Sequence, residues 1–162
     1  MEKGPLLNFD ILVVLCSFVN DDELLDISPT CKFFRALALK RILSVVSLET
    51  PRQLAGFCNC VLADARTRAP WIRELVVLDG AYPLTRMTTP EGSCTDFGAA
   101  SSLVTVFKHA SLLERLLICR VDEVMKGVAG LEDALKSLPS LILLHLYDID
   151  ALEVTFNLLR GL

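Results

Sequence analysis

Two histidines and six cysteines are the first side chains to weigh for chemistry in this 162-residue chain. His109 and His145 each stand among apolar residues. Paired with a thiol such as Cys119, either imidazole could serve as the base that activates a nucleophile. No motif positions such a pair, and His109 falls in the last turn of an expected helix, where a cation suits the dipole. Cys58-Asn59-Cys60 has one residue between its thiols. Zinc sites use two and add a second ligand pair, so the plainer reading is one inward and one lateral cysteine on a helix. Gly127 and Gly130 lack the neighbouring lysine and serine of a phosphate-binding loop. Asp122 and Glu123 read as solvated loop carboxylates rather than a general acid and base. The expectation is therefore no catalytic residue, no metal ligand and no cofactor: not an enzyme.

The elements that must carry these residues are bounded by composition. A chain of 162 residues suffices for one domain, or for a small module joined to a second unit. Hydrophobic residues make up 52% and charged residues 22%, enough material for a core. Mean hydropathy is +0.49, yet the longest apolar stretch, Ile11 to Val19, is about half the roughly 20 residues that span a bilayer. No membrane span is expected. Asp10, Glu2 and the lack of a small-residue cleavage site also oppose a secretory signal, so an intracellular location, cytoplasmic or nuclear, is expected. The cysteines lack the spacing of a disulfide framework and read as reduced, mostly buried small hydrophobes. A net charge of -4 and a pI near 5.2 exclude nucleic acid as a natural partner, since phosphate binding draws on clustered cations.

Three short helices are expected within residues 5–42. Ile11, Leu12, Leu15 and Phe18 recur at helical spacing behind Asn8 as a cap. Asn20 and Glu23 form a capping-box pattern before Leu24, Leu25 and Ile27. Ser28 as cap and Pro29 at the first helical position suit a third helix carrying Cys31, Phe34, Leu37 and Ala38 on one side. So small a unit cannot bury all its apolar side chains alone. They are left for a docking partner or for the chain that follows, and periodicity does not separate the two.

The run Leu7-Asn8-Phe9-Asp10-Ile11-Leu12, followed by Leu15-Cys16-Ser17-Phe18-Val19, Leu24-Leu25-Asp26-Ile27-Ser28 and Thr30-Cys31-Lys32-Phe33-Phe34-Arg35-Ala36-Leu37-Ala38, resembles an F-box in order and spacing. The resemblance implies docking to the Skp-type adaptor of a cullin-RING ubiquitin ligase. It places Leu7, Ile11, Leu12, Leu15, Leu24, Leu25, Cys31, Phe34 and Leu37 in or just behind the adaptor interface. The family usually has proline where this chain has Asn8; an asparagine cap keeps the helix start, with a lower adaptor affinity expected.

Residues 43–162 change pattern to alternating strands and amphipathic helices. Val45 to Leu48 reads as a strand, followed by a helix capped by Thr50 and opened by Pro51, with a stripe of Leu54, Phe57, Cys58, Val61 and Leu62. Trp71 to Leu78 reads as a strand closed at Asp79-Gly80, and residues 82–97 as an irregular loop. Ala99 to His109 is expected as helix, Leu113 to Val121 as strand, Leu131 to Leu138 as helix, Leu141 to Leu146 as strand, and a last helix follows Asp150. Ile72, Leu75 and Val77, Leu113, Leu116 and Ile118, and Leu138, Leu141 and Leu143 share an i, i+3, i+5 frame that resembles the strand of a leucine-rich repeat. Intervals are uneven and the later asparagine is missing, so an ordinary α/β domain stays open.

The fold expected is thus mixed: a three-helix F-box module, then α/β leucine-rich-repeat-like strand and helix units. The function that the resemblance implies is the substrate receptor of a Skp-cullin-F-box ubiquitin ligase, joined to a protein target through the repeats. Alternatives are an adaptor-binding protein with no substrate, or an unrecognised intracellular enzyme lined by His109 or His145. The apolar end Leu158-Leu159-Arg160-Gly161-Leu162 leaves a truncated receptor expected over a completed solenoid cap.

Overall fold

The computed structural model describes residues 9–82, 84–86, 93–95 and 97–147. Leu7, the Asn8 cap and the helix expected after Asp150 lie outside them, as does the side chain of Leu15. The chain divides into two compact units between Leu43 and Ser44.

The first unit holds three helices, α1 (Phe9–Ser17), α2 (Asp21–Ile27) and α3 (Lys32–Ser44). The capping box forms as expected: the Asn20 side chain accepts from the Glu23 amide at 2.8 Å, and the Glu23 carboxylate accepts from the Asn20 amide at 3.1 Å. The third helix starts later than Pro29. Ser28 closes α2, its amide bonding Leu24 and Leu25 carbonyls and its hydroxyl donating to Leu25 O, so it is not available to cap a new helix. Ser28–Thr30 form a 3-10 turn instead, Cys31 is extended, and the Cys31 thiol accepts the Phe34 amide at 3.5 Å. A small core of Cys16, Leu24 and Ala38 gathers Val19, Ile27, Phe34, Leu37 and Ile42 around it. At the C-terminus of α1 the Val19 amide donates to Cys16 O at 3.4 Å and the Ser17 hydroxyl to Val14 O at 2.6 Å; Arg41 adds to them, donating to Cys16 O at 3.0 Å and to Val19 O, while its Nε meets Asp21 at 2.8 Å. A cation is favoured at that end of a helix.

The second unit is mixed α/β around a parallel four-stranded sheet. Its strands are β1 (Val45–Leu48), β2 (Glu74–Val77), β5 (Arg115–Ile118) and β6 (Leu143–Leu146), lying in the order β1-β2-β5-β6. Strands β3 (Leu84–Arg86) and β4 (Ser93–Thr95) form a separate antiparallel hairpin. This hairpin corrects the irregular loop expected over 82–97. Turn formers between two short stretches rich in Thr and Ser are what a hairpin also requires.

Helices α4 (Pro51–Leu62), α6 (Gly98–His109) and α8 (Leu131–Lys136) connect the strands, and α4 packs on α6 and α6 on α8. Consecutive strands and consecutive helices therefore stack in the same order. Thr50 and Gln53 cap α4 reciprocally, with Pro51 in its first turn. Leu54, Phe57, Cys58 and Val61 are buried, while Leu62 lies at an intermediate position.

Two further helices escaped periodicity, α5 (Ala65–Arg68) and α7 (Val121–Gly127). Each is under two turns, too short to show a stripe. α7 corrects two expectations: Val121 opens a helix rather than closing a strand, and Asp122 is 4% exposed in the first turn of α7 rather than solvated in a loop. The strand expected from Trp71 is shorter because Ala69–Trp71 form a 3-10 turn around Pro70.

Register fixes the apolar frame. Val46, Leu75, Leu116 and Leu144 lie side by side, as do Leu48, Val77, Ile118 and Leu146. Leu75, Val77, Leu116 and Ile118 are buried beneath the helices. The last frame is therefore Leu141, Leu144 and Leu146, three residues on from Leu138, Leu141 and Leu143. In a strand a shift by an odd number exchanges the faces, and Leu143 is accordingly 40% exposed. The spacing becomes 29 residues from Val46 to Leu75, 41 from Leu75 to Leu116 and 28 from Leu116 to Leu144. The long interval is the one that contains the hairpin.

Candidate interaction surfaces

Within the first unit, α1 reads FDILVVLCS and is apolar almost all round. A two-turn helix on a three-helix unit can bury only one side of such a surface. Cys16 faces the core, and Ile11 (49% exposed), Val14 (55%) and Phe18 (83%) face outward. Leu25 on α2 is 48% exposed, although its neighbour Leu24 is fully buried.

The nine expected adaptor-binding residues thus separate by position. Ile11, Leu25 and Cys31 are exposed, Leu12, Phe34 and Leu37 are half-buried, and Leu24 lies behind the surface in the core. The description covers neither Leu7 nor the side chain of Leu15. Val13, Val14 and Phe18 are exposed apolar residues outside that set. The signal for Val14 was present: a helix apolar beyond one stripe has more surface than its own core can take. A groove of about 310 Å³ runs between α1, α2 and α3, lined by Val13, Cys16, Ser17, Leu24, Leu37 and Arg41.

In the second unit the helices cover one face of the sheet and the side chains of alternate positions form the other. Across the strands, its first row is Val45, Glu74, Arg115 and Leu143, and its second is Ser47, Val76, Leu117 and His145. The ladder runs one step further through amide bonds from Leu78, Cys119 and Tyr147 to the preceding strand. Arg115 meets Glu74 at 3.5 Å, and Arg73 meets Glu114 at 2.7 Å where the strands begin. His145 stands edge-on to Tyr147, ring centroids 6.2 Å apart. A shallow groove of about 130 Å³ lies over this face, lined by Glu74, Val76, Arg115, Leu117, Leu143 and His145.

A polar cluster gathers where β2 and β5 end. Arg120 has φ 53°, the left-handed region that disfavours a side chain. Its guanidinium holds that conformation by donating to Glu123 and by lying 3.4 Å from Asp79. The hydrogen bond to Glu123 raises the Arg120 pKa further. Tyr82 is buried against Phe97, ring centroids 5.8 Å apart. Burial, then the neighbouring Cys119 and Asp79, push its phenol above the usual range against the pull of Arg120. A phenol so raised stays protonated at neutral pH.

The two histidines fall on separate elements. His109 ends α6, its Nδ1 3.0 Å from Thr105 O, and His145 lies on the open face of β6. Cys58 is buried on α4, and burial pushes its thiol up to about 11, away from the thiolate that nucleophilic chemistry needs. Cys60 lies laterally at intermediate exposure, and the carbonyl of the same residue accepts from Arg68 at 2.5 Å. Among the described residues no group of three or more His, Cys, Asp or Glu is placed to hold a metal ion. Among them, too, no helix is long and apolar enough to cross a membrane.

No protein-family model, no curated protein and no solved structure matches the chain.

Proposed function

We propose that this chain is the substrate receptor of a Skp-cullin-F-box ubiquitin ligase, working inside the cell. The first unit docks on the Skp-type adaptor and the second holds a protein target. The observation that carries the reading is the outward apolar surface of α1, the turn after it and α2, Ile11, Val14, Phe18 and Leu25, on a unit whose own core is only a few side chains. Exposed apolar clusters of this kind mark interaction sites. The order and spacing of residues resembling an F-box say which partner fits.

The reading of the second unit as leucine-rich-repeat-like is supported by strands that follow one another in chain order, by helices stacked alongside in the same order, and by intervals of 29 and 28 residues. Repeats of 20 to 29 residues are the ordinary range. Where such repeats carry asparagine, this chain has Pro51, Gly80 and Val121. Pro51 opens α4, Gly80 turns beneath the Glu49 carbonyl, and Val121 is buried, so each strand exit is made by a different device.

The receptor itself makes no bond. Its contribution is to hold a target lysine near a loaded conjugating enzyme, which raises the effective concentration. Co-purification with the adaptor tests the reading. Ile11→Asp with Leu25→Asp changes two half-exposed positions and leaves Leu24 in place, so the unit should still fold while adaptor binding is lost. If the unmutated chain does not bind the adaptor, the proposal fails.

A further inference from the structure

We infer that Arg41 is a positioning residue for adaptor docking: its guanidinium fixes the turn between α1 and α2, and through that turn the outward apolar surface of both helices. The inference rests on the receptor reading and deepens it by naming a residue that governs the docking site without standing in its apolar patch.

Phe18, Val19 and Asn20 alone join α1 to α2. Inside the join, the Val19 amide reaches Cys16 O only at 3.4 Å, and the Ser17 hydroxyl turns back to Val14 O at 2.6 Å. Arg41 comes from α3, 25 residues beyond Cys16, and meets three acceptors there. Its Nη1 donates to Cys16 O at 3.0 Å and to Val19 O, and its Nε lies 2.8 Å from Asp21 Oδ1 in the first turn of α2. One planar fork thus holds a helix end, the turn and the next helix start in a single relation. A lysine ammonium is a compact point charge without that fork.

The outward side chains sit beside the atoms so held. Phe18, 83% exposed, lies between Cys16 and Val19 in the chain, and Leu25, 48% exposed, is one helical turn after Asp21. Ile11 and Val14 belong to the helix whose end Arg41 grips. The core of Cys16, Leu24 and Ala38 is made without the guanidinium, so the three helices should still pack when it is removed. The ion pair adds little stability of its own, because the Arg41 side chain is 38% exposed and that of Asp21 61%. What the whole cluster contributes is order in the free chain. A docking surface that becomes ordered only on binding gives up affinity to that ordering.

The test measures the Kd of the full chain for purified Skp-type adaptor by calorimetry, together with amide exchange of the free and the bound chain. Arg41→Met should weaken binding about ten-fold, the scale of ordering a few interface side chains. Arg41→Lys should stay at least about three-fold weaker than wild type for want of the fork. Asp21→Asn, which leaves both carbonyl bonds in place, should weaken binding about three-fold. Amides of Phe18 to Asp22 should exchange faster in free Arg41→Met and return to wild-type protection in the complex, while those of α3 stay protected throughout. A guanidinium that instead touched the adaptor as an exposed charge would behave in the opposite way: lysine would restore binding, and Asp21→Asn, by uncovering the charge, would tighten it. Either result, or wild-type affinity in Arg41→Met, overturns the inference. If the α3 amides also lose protection in Arg41→Met, Asp21→Asn decides: weaker binding on a protected α3 supports the inference, and unchanged or tighter binding overturns it. Adaptor refused by the unmutated chain removes the receptor reading and this inference together, whereas adaptor bound equally by wild type and Arg41→Met removes this inference alone.

Discussion

Leu116 and Leu117 are neighbours in β5 with the same side chain, and the register assigns them to opposite faces. Leu116 is 1% exposed on the rung with Leu75 and Leu144, whereas Leu117 lies on the open face beside Val76 and His145. Truncating a fully buried leucine to alanine costs about 2 to 5 kcal/mol, the transfer of the lost carbons plus a cavity that neighbours only partly fill. Leu116 is held between two strands and the helix layer, with little freedom to collapse, so Leu116→Ala should cost about 3 kcal/mol. Leu117→Ala removes carbons that water already reaches and should cost under about 1 kcal/mol. Trp71, the single tryptophan, lies in the turn leading to β2 and reports unfolding of this unit without signal from the first. With a urea slope of about 2 kcal/mol/M, the midpoint should fall by about 1.5 M for Leu116→Ala and by under about 0.5 M for Leu117→Ala. Equal losses, or a larger loss at Leu117, would refute the register and the frame built on it.

Asn20→Ala removes the side-chain half of the α2 capping box and should destabilise the first unit by about 1 kcal/mol, read from far-UV circular dichroism of a fragment or from protection of the α2 amides in the full chain. Gly80→Ala would set a Cβ 2.5 Å from the Glu49 carbonyl oxygen; the turn must move, at about 1 to 3 kcal/mol, measured with the same Trp71 signal. The Cys58 thiol is raised from 9.0 to about 11 in the folded chain, so between these values the folded state holds the proton that the unfolded state has lost. Stability from this group is complete below about pH 9 and should decline as pH rises toward 11; urea midpoints that rise with pH across that window in the wild type, relative to Cys58→Ala, would contradict the assignment. At pH 8 an alkylating reagent should modify Cys31, which is exposed, and spare Cys16 and Cys58 until urea opens the chain.

Local signals carried most of the element plan. Asn20 with Glu23 and Thr50 with Pro51 mark helix starts by side-chain chemistry that acts within one turn, so four residues suffice to read them. Val45 to Leu48 was legible as a strand because the run is β-rich and stops at a cap. What failed was of two kinds. α5 and α7 are too short for a period of 3.6 to repeat, and Ser28 looked like a cap because nothing local says that its hydroxyl and amide turn back to close α2.

The second kind concerned pairing. The run Leu138-Pro139-Ser140-Leu141-Ile142-Leu143-Leu144-His145-Leu146 holds leucines at so many positions that two i, i+3, i+5 frames fit it, one from Leu138 and one from Leu141. Only the hydrogen bonds to Arg115–Ile118 choose between them. The choice matters for the candidate site as much as for the core. On the first frame Leu143 and His145 would turn inside and Ile142, Leu144 and Leu146 would face out. On the second, Leu143 and His145 stand outside, and the face alternates apolar Val45, Val76, Leu117 and Leu143 with polar Ser47, Glu74, Arg115 and His145. The make-up of this face follows from a three-residue shift that side-chain pattern alone does not resolve, because a leucine-rich strand offers leucine on either side.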